Sequence, residues 1–359
     1  MALVNTVCCQ LLPRKPAQRT LATTMVYRRL FVLLLALSWS PAVQAAEDLL
    51  ELRILDVGQG DAILIRNGGK VALVDTGPTD AIVSKLRVLG IDALDLLVIS
   101  HNHMDHLGGA DALLAAMPVR YFMDNGVPAK TKIQETVLRL VEAKQIPYLT
   151  PTAREIALGD ATLTVLPPLA HPTRNEQNDV TVGILVSRGK FRALLPGDAE
   201  VEALKAWVAD GRIPDVDLLK AAHHGSRNGV TPQLLVTAKP EVVVISVAAV
   251  NDYGHPHAAA LKLYATAGRK LWRTDELGDV VAWVAPDGAY TMRATRDHVV
   301  PLAVPPPASE AVSAPVKHVP PAVVAPACCR ICRSSVACGD ACIGKGQQCA
   351  KPRGCACNG

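Results

Sequence analysis

Cysteine is missing from most of this chain of 359 residues and is confined to its two ends. No cysteine lies between Cys9 and Cys328, which excludes disulfide bonds within the long middle part. Runs of lysine and arginine are missing too, so the chain has no basic arm of the kind that binds nucleic acid. Its net charge of +4 permits an anionic substrate without requiring one. The chain is long enough and apolar enough to bury a substantial core.

A long hydrophobic segment is also missing. The apolar stretch Leu30–Trp39 is shorter than the roughly 20 residues that a membrane-spanning helix needs. Two arginines precede it, and a proline and several small residues follow it, which is the pattern of a secretory signal. We interpret residues 1–46 as a signal-peptide region, with cleavage after Ala45 and an alternative start at Met25. The mature protein is expected to be exported, either periplasmic or secreted; a retained membrane anchor is the alternative.

Eight closely spaced cysteines lie in residues 328–359. On an exported chain, an even number of close cysteines indicates a small disulfide-stapled unit, because so short a segment cannot build a core by burial alone. A zinc cluster is the alternative, since "CCRIC" contains one C-x-x-C pair. Attachment to a surface or a partner, or no binding role at all, both remain open for this Cys-rich tail.

Residues 299–327 are rich in proline, alanine and valine and carry little charge. Such a segment cannot form a packed core and favours extended polyproline conformations, so we interpret it as a linker. The main domain is therefore expected to cover residues 47–298.

In the main domain, apolar runs rich in β-branched residues alternate with helical patterns. Strands followed by outer helices predict an α/β sandwich, with the two strand-rich halves forming two facing sheets. The predicted strands are "LLELRILDV", "DAILIRN", "KVALVDTG", "LDLLVISH", "DVTVGILVSRG", "FRALLPGD", "DLLKAAHH", "VVVISVA" and "KLWRTD". Helices are predicted after "GPT", from Asp105, from Thr131 to Gln145, and after Asp198, Thr231 and Pro256.

The segment "SHNHMDHLGG" places three histidines and an aspartate within six residues, directly after a predicted buried strand. Neutral imidazoles suit Zn²⁺, Mn²⁺ or iron, and a carboxylate favours harder ions. So short a loop can serve two ions, with His101 and His103 on one and Asp105 and His106 on the other. The pair Gly108–Gly109 would let another segment approach closely. A solvated histidine-rich loop is the alternative.

Further ligand-type residues follow apolar strands in the second half. Asp198 ends "ALLPGD", where a carboxylate is placed to bridge two cations, and His223 and His224 end "LLKAAHH". Open α/β sheets bind ligands at the carboxyl ends of their strands, so these residues are expected to converge on the histidine loop. The alternative for Asp198 is a helix cap.

Eight motifs in order, from about Leu52 to Asp287, resemble one family. They are "LDVGQGDAILI", "VDTG", "SHNHMDHLGG", "NDVT", "LLPGDAE", "KAAHHGS", "ISVAAVNDYGHPH" and "RTDELGDV". The chain resembles the metallo-β-lactamase fold, specifically the hydrolase domain of ComEC-type DNA-internalisation proteins. The resemblance implies a four-layer αββα sandwich with a two-metal site at the sheet edges. It also implies that Asp75 supports the histidine loop from outside the metal coordination.

Two departures from the wider fold bear on the metals. Where lactamase-type relatives place a third histidine, this chain has Asn178, as ComEC-like chains tend to; His171 is an alternative ligand from a nearby loop. Conversely, ComEC-like chains often carry an aspartate at the position of His103. The expected cofactors are two divalent ions, with Zn²⁺ and Mn²⁺ both open.

Two cations holding one water lower its pKa to roughly 7, which makes hydroxide available at neutral pH. We expect Asp105 to orient that hydroxide as a catalytic residue. His255 is the candidate for leaving-group protonation or phosphate contact, with a structural histidine as the alternative. Asn178 and Ser226 are candidate substrate-binding residues, Ser226 as a donor to a phosphate oxygen.

Several other polar residues have two interpretations. Asn251 is a further candidate for substrate binding. Either it lines the site or it only supports the residues that do, and the same two alternatives hold for Arg273 and Asp275. Lys220 and Arg227 flank the second histidine pair and either attract phosphates or belong to a solvated face.

Three functions are open. The leading hypothesis is an exported phosphodiesterase acting on DNA or another phosphodiester, because the ComEC resemblance points there. The second is a hydrolase of carbonyl substrates such as a β-lactam, a lactone or a thioester. The third is a non-catalytic exported binding protein whose Cys-rich tail is the working part. The chain is not expected to form an integral membrane channel of its own.

Overall fold

The computed structural model describes residues 49–172 and 177–296, together with four short strands near the C-terminal end. The chain divides into two compact units, Met1–Val299 and Val300–Gly359. The interpreted signal region and linker lie outside the described residues, so their boundaries stay predictions. No helix in the described ranges is both long enough and apolar enough to cross a membrane.

Two seven-stranded sheets form the first unit. Their strands are β1 Leu50–Ile54, β2 Ile63–Asn67, β3 Lys70–Val74, β4 Leu96–Val98, β5 Phe122–Met123, β6 Arg154–Leu158, β7 Ala161–Leu166, β8 Gly183–Arg188, β9 Phe191–Leu195, β10 Leu218–Lys220, β11 Val242–Ile245, β12 Lys270–Arg273, β13 Val280–Val284 and β14 Tyr290–Ala294. The order is β14-β13-β1-β2-β3-β4-β5 in the first sheet and β12-β11-β10-β9-β8-β7-β6 in the second.

The helices cover the outer faces of these sheets. They are α1 Ala81–Val88, α2 Met104–Leu107, α3 Ala110–Ala116, α4 Lys132–Ala143, α5 Val201–Ala209, α6 Pro232–Ala238, α7 Ala258–Thr266 and α8 Thr274–Leu277, with 3₁₀ turns at Gln177–Val180 and Ala222–Gly225.

Three hydrophobic clusters define four layers. The central cluster joins inward residues of both sheets, such as Ile65 and Ile184. The other two lie between each sheet and its helices, around Leu113 on one side and Trp207 on the other. Because both faces of each sheet are covered, the central strands are nearly continuous apolar runs, as in "VVVI" of β11. The expected αββα sandwich is confirmed.

Parallel pairing brings the carboxyl ends of several strands to one edge. In the first sheet β3, β4 and β5 run parallel, and in the second β9, β10, β11 and β12 do. The segments that follow β3, β4, β9, β10 and β11 therefore meet at the same edge of the sandwich. They begin with Asp75, Ile99, Pro196, Ala221 and Ser246.

The predicted helices are present, with one difference. The helix expected from Asp105 is split into α2 and α3 at Gly108–Gly109. A Cβ at Gly108 would lie 2.3 Å from the carbonyl oxygen of Pro78, and one at Gly109 would lie 2.4 Å from that of Thr79. The close approach predicted for this glycine pair is therefore confirmed.

Five strands of the first unit were not among those predicted: β5, the β6–β7 hairpin and the β13–β14 hairpin. β5 has only two residues, and β6 alternates between half-buried and exposed positions, so neither produces a long apolar run. The predicted strand "DVTVGILVSRG" is shorter than expected, because β8 begins at Gly183 and its first two predicted residues, Asp179 and Val180, belong to a 3₁₀ turn.

In the second unit, the described strands are β15 Arg330–Cys332, β16 Val336–Cys338, β17 Ala341–Ile343 and β18 Ala356–Asn358. β15 pairs with β18 in parallel, and β16 pairs with β17 antiparallel. Cys338 and Cys342 are each disulfide-bonded. The other cysteine side chains of this tail lie outside the described atoms, so the disulfide-stapled unit as a whole stays a prediction.

Candidate metal centre

One group of donor atoms lies where β4, β9 and β10 end. The ligand atoms of Asp105, His106, Asp198 and His224 all lie within 4.8 Å of one another. His106 Nε2 is 3.2 Å from Asp198 Oδ1, and His224 Nε2 is 3.2 Å from Asp105 Oδ2. Two of these residues come from the first sheet and two from the second, so the fold brings together the residues that the sequence grouped.

A second group adjoins the first through Asp198. Its other carboxylate oxygen, Oδ2, is 3.8 Å from His101 Nε2 and 3.8 Å from His223 Nε2. His103 Nδ1 is 3.0 Å from His101 Nε2. One carboxylate therefore has an oxygen facing each group, which is the arrangement expected of a bridging ligand.

Hydrogen bonds at Nδ1 orient the two imidazole rings of the first group, so that Nε2 of each ring faces the centre. His224 Nδ1 is 2.9 Å from the carbonyl oxygen of Ser246, which only accepts hydrogen bonds, so Nδ1 carries the hydrogen. His106 Nδ1 is 2.8 Å from Asp75 Oδ2, which orients this ring in the same way. Nε2 of both rings therefore faces the centre, where a divalent ion would replace its hydrogen, as in metal-binding histidines.

Asp75 holds the histidine loop at three points. Its Oδ1 accepts a hydrogen bond from the main-chain N–H of Ser100 at 2.7 Å, and its Oδ2 accepts one from the Ser100 hydroxyl at 2.8 Å, in addition to the His106 contact. The Ser100 oxygen is in turn 3.1 Å from His101 Nδ1. These contacts are what the resemblance implies for Asp75. Burial, which outweighs the opposing effect of His106, raises the pKa of Asp75.

The donor set fits divalent cations. Asp198 Oδ1 is buried and has no hydrogen-bond partner among the described atoms. Burial by itself lowers the pKa of His224, but the carboxylates of Asp198 and Asp61 outweigh it and raise that pKa to about 9. Burial also opposes the rise at His106, where Asp198 and Asp75 hold the pKa well above its usual value. Oxygen and imidazole acceptors that together attract positive charge are the chemistry that Zn²⁺ and Mn²⁺ sites need.

The two adjacent histidines of the second half face different partners. His223 and His224 both have left-handed backbone conformations, with φ of 50° and 52°. For residues other than glycine this conformation is strained and is typical of functional sites. His224 faces the four-residue group, whereas His223 Nδ1 is 3.3 Å from Glu200 Oε1 and His223 Nε2 is 3.4 Å from Asn178 Nδ2.

Asn178 lies beside His223, and its amide oxygen is buried without a hydrogen-bond partner among the described atoms. His171, the alternative third histidine, is exposed and belongs to neither donor cluster found in the described residues. His223, not His171, is therefore the histidine of the second half that faces Asp198 Oδ2 together with His101.

His255 lies beside the two adjacent histidines. Its ring centroid is 5.2 Å from that of His223 and 6.3 Å from that of His224, and Tyr253 stacks on it at 5.6 Å. Burial and the neighbouring histidines lower the pKa of His255 to about 4. Its buried Nδ1 has no hydrogen-bond partner among the described atoms.

The other two candidate substrate-binding residues, Asn251 and Ser226, already make hydrogen bonds within the protein. The Asn251 amide accepts from the main-chain N–H of His255 at 2.9 Å and donates to the carbonyls of His255 and Ala248 at 2.7 and 3.1 Å. These bonds favour the buttressing alternative for Asn251. Ser226 is buried, and its hydroxyl oxygen accepts a hydrogen bond from the main-chain N–H of Asn228 at 3.3 Å.

The structure corrects the interpretation of one of the charged residues near the second histidine pair. Lys220 is neither a phosphate-attracting surface residue nor part of a solvated face, because its side chain is fully buried in an ion pair with Asp61. Arg227 is exposed. Arg273 is paired with Asp275 at 2.6 Å, so these two residues buttress one another.

Sequence reasoning missed Asp61 as a residue of this site. The signal was present in the sequence, since a lysine within the apolar strand "DLLKAA" requires a buried anionic partner. The partner itself lies 159 positions earlier in the chain, and no local pattern identifies a pairing at that separation.

The fold has two sheets covered by helices, and segments at their strand ends bring histidines and aspartates to one edge. This combination defines a class of metal-dependent hydrolases. Residues 55–248, more than half of the chain, match the family model of the metallo-beta-lactamase superfamily, and the protein belongs to that superfamily.

Three curated relatives narrow the likeness to competence proteins of the ComEC type. The chain is 26% identical over 254 residues to ComE operon protein 3 of Bacillus subtilis (strain 168), covering 64% of this chain and 32% of that protein. It is 31% identical over 216 residues to Recombination protein 2 of Haemophilus influenzae, covering 58% and 25%. Identity to Competence protein ComA of Neisseria gonorrhoeae is 28% over 276 residues, covering 73% and 36%. The ComEC resemblance is confirmed, and the chain spans about a third or less of the length of these relatives.

Solved structures similar to the chain include a diphosphatase from the PhnP family, at 14% identity and a TM-score of 0.39, covering 62% of this chain and 94% of that one. A metal-dependent hydrolase of the β-lactamase superfamily matches at 15% identity and a TM-score of 0.41, covering 68% of this chain and 99% of that one.

Proposed function

We propose that this protein is an exported phosphodiesterase that hydrolyses DNA or another phosphodiester at a dinuclear metal centre. The observation that carries the proposal is the Asp198 carboxylate, which has one oxygen facing each of two adjacent donor groups. The competence-protein relatives support a nucleic-acid substrate. Export is supported by the signal-like sequence of residues 1–46 alone.

The proposed ligands divide between the two groups. His101, His103 and His223 would hold one ion, and Asp105, His106 and His224 the other, with Asp198 shared; this assigns one of the two adjacent histidines to each ion. Two Zn²⁺ or Mn²⁺ ions so held would lower the pKa of a bound water to about 7 and stabilise the attacking and leaving oxygens of an in-line displacement.

The protein residues supply orientation and hydrogen bonds. His106, through charge, and His224, through its hydrogen bond, lower the pKa of Asp105 despite its burial, so this carboxylate is ionised. It would accept a hydrogen bond from the attacking water. His255 is neutral at pH 7, because its pKa is about 4. A neutral ring is a poor proton source, so His255 is better suited to donating a hydrogen bond to a phosphate oxygen than to protonating the leaving group. Asn178 would contact the substrate beside His223.

Hydrolysis of a carbonyl substrate is the second candidate, because two metals with a neutral hydrogen-bond donor also suit acyl transfer. The two functions are separated by assay. Metal-loaded protein is expected to cleave bis(p-nitrophenyl) phosphate and single-stranded DNA. Cleavage of nitrocefin or a thioester, with no cleavage of either phosphodiester, would contradict the proposal.

The residue test is His101→Ala. We expect it to remove turnover and lower the bound metal while the circular dichroism spectrum stays that of the parent protein, because the side chain is buried at the centre. His171→Ala is the matched control, since this histidine is exposed. Undiminished phosphodiester hydrolysis by His101→Ala would refute the assignment.

A further inference from the structure

Beneath the proposed metal centre, one buried ion pair joins the two sheets. Asp61 lies between β1 and β2 of the first sheet, and Lys220 ends β10 of the second. The two side chains are 1% and 0% exposed, and the ammonium group contacts Asp61 Oδ2. Burying two charges is costly, so a pair at this position needs a compensating role or compensating contacts.

Asp61 contacts the four-residue donor group from the side opposite its metal-facing atoms. Asp61 Oδ1 is 3.5 Å from His224 Nδ1, and Oδ2 is 3.9 Å from His106 Nδ1. Its main-chain N–H donates a hydrogen bond to the carbonyl oxygen of Asp105 at 3.1 Å. The neighbouring Gly60 permits this approach, because a Cβ there would lie 2.2 Å from the same carbonyl oxygen.

Lys220 contacts the remaining member of the group. Its Nζ is 4.0 Å from Asp198 Oδ1 and 3.5 Å from the carbonyl oxygen of Gly197. The ion pair therefore contacts all four donor residues, two of which follow a strand of the first sheet and two of which follow strands of the second.

Electrostatics alone argues against a lysine here. The Lys220 ammonium lies 4.0 Å from Asp198 Oδ1, and its positive charge repels any divalent cation that this carboxylate holds. Asp61 cancels most of that repulsion, so the net electrostatic contribution of the pair to metal binding is small. What remains is its geometric effect of holding donors from the two sheets together.

We propose that Asp61 and Lys220 are a positioning pair, which assembles the donors of the two sheets before a metal ion binds. This inference rests on the metal centre of the proposed function but not on its substrate. Partners outside the coordination sphere typically contribute 10- to 100-fold to metal affinity.

The double variant Asp61→Asn/Lys220→Met separates positioning from charge, because it removes one charge of each sign and leaves the net charge unchanged. Single variants are unsuitable, since each leaves one buried charge without its partner. We expect Zn²⁺ and Mn²⁺ affinity, measured by chelator competition without substrate, to fall at least about tenfold. The melting temperature of the metal-free protein should stay near that of the parent, since replacing both members of a buried pair is often neutral or stabilising.

The apolar variant Asp61→Leu/Lys220→Met provides a second measurement if the new amide is poorly accommodated, and the same loss of affinity is expected. The matched control is Asp160→Asn/Arg188→Met. Arg188 is also buried, pairs with Asp160 at 2.9 Å and donates to the carbonyl oxygen of Val284 in the other sheet. Arg188 pairs with Phe191, the first residue of β9, whereas Asp198 follows the other end of that strand. This control should therefore bind metal like the parent.

Parent-like or tighter metal binding by both pair variants would overturn the proposal. A loss of melting temperature in the metal-free protein with unchanged affinity would also overturn it, because that result describes a purely structural pair. Since the measurement uses metal alone, a failure of the phosphodiester assay leaves this test intact, whereas a parent protein that binds no divalent metal would refute both ideas.

Discussion

At the scale of single residues, His224 connects protonation to stability. Acceptors surround its ring, with Ser246 at Nδ1 and the carboxylates of Asp105 and Asp198 at Nε2. The resulting pKa of about 9 in the folded, metal-free protein lies above the value of 6.5 for a free histidine. Protonation therefore favours folding: the stabilisation is complete below pH 6.5 and is lost as the pH rises through 9.

We predict that the metal-free protein loses up to about 3 kcal/mol of unfolding free energy between about pH 6.5 and pH 9. Urea denaturation at a series of pH values measures this loss. In His224→Gln the dependence should flatten, whereas the exposed His171→Gln should keep it. A stability that rises with pH over this interval would contradict the assignment. For the same reason, metal binding should release protons in this range.

At the scale of elements, the turn that precedes β2 packs closely against the site at one glycine. Gly60 has φ of +140°, and a Cβ there would meet the carbonyl oxygen of Asp105. We predict that Gly60→Ala lowers metal affinity and stability together, because it pushes Asp61 away from α2. Gly58→Ala is the control: its φ is +79°, but a Cβ there meets nothing within 4 Å. It should cost only backbone strain, on the order of 1 kcal/mol, and keep metal affinity. Equal metal affinities, measured by chelator competition, would refute the role of this contact.

The elements also show how far sequence reasoning reaches. Polar ligand-type residues placed directly after buried apolar strands predicted the neighbourhood of His101, Asp105, Asp198 and His224, because parallel strands end at a common edge. The β6–β7 hairpin could not be predicted in this way, since its edge strand β6 is half exposed. The different directions of His223 and His224 could not be predicted either. They depend on the left-handed backbone conformation of both residues, which a sequence usually indicates by glycine and here does not.

At the scale of the whole molecule, the donor residues identified in the described part of the chain all lie in the first unit. Every donor residue of both groups lies between His101 and His224, and the three hydrophobic clusters that hold them use residues from Leu50 to Val284. The Cys-rich tail belongs to the second unit and supplies none of these residues. Because these donors all belong to one unit, we do not expect metal binding to depend on the other.

We therefore predict that removing residues 299–359 leaves metal stoichiometry, metal affinity and turnover of bis(p-nitrophenyl) phosphate within about twofold of the parent, since a factor of two corresponds to only about 0.4 kcal/mol. Any attachment of the parent to a surface or a partner should be lost at the same time. Paired measurements on the parent and the shortened protein test both statements. A shortened protein that folds, as judged by circular dichroism, but binds no metal would show that the tail completes the centre. The cysteines of the tail other than the disulfide-bonded Cys338 and Cys342 would then have to be considered as ligands.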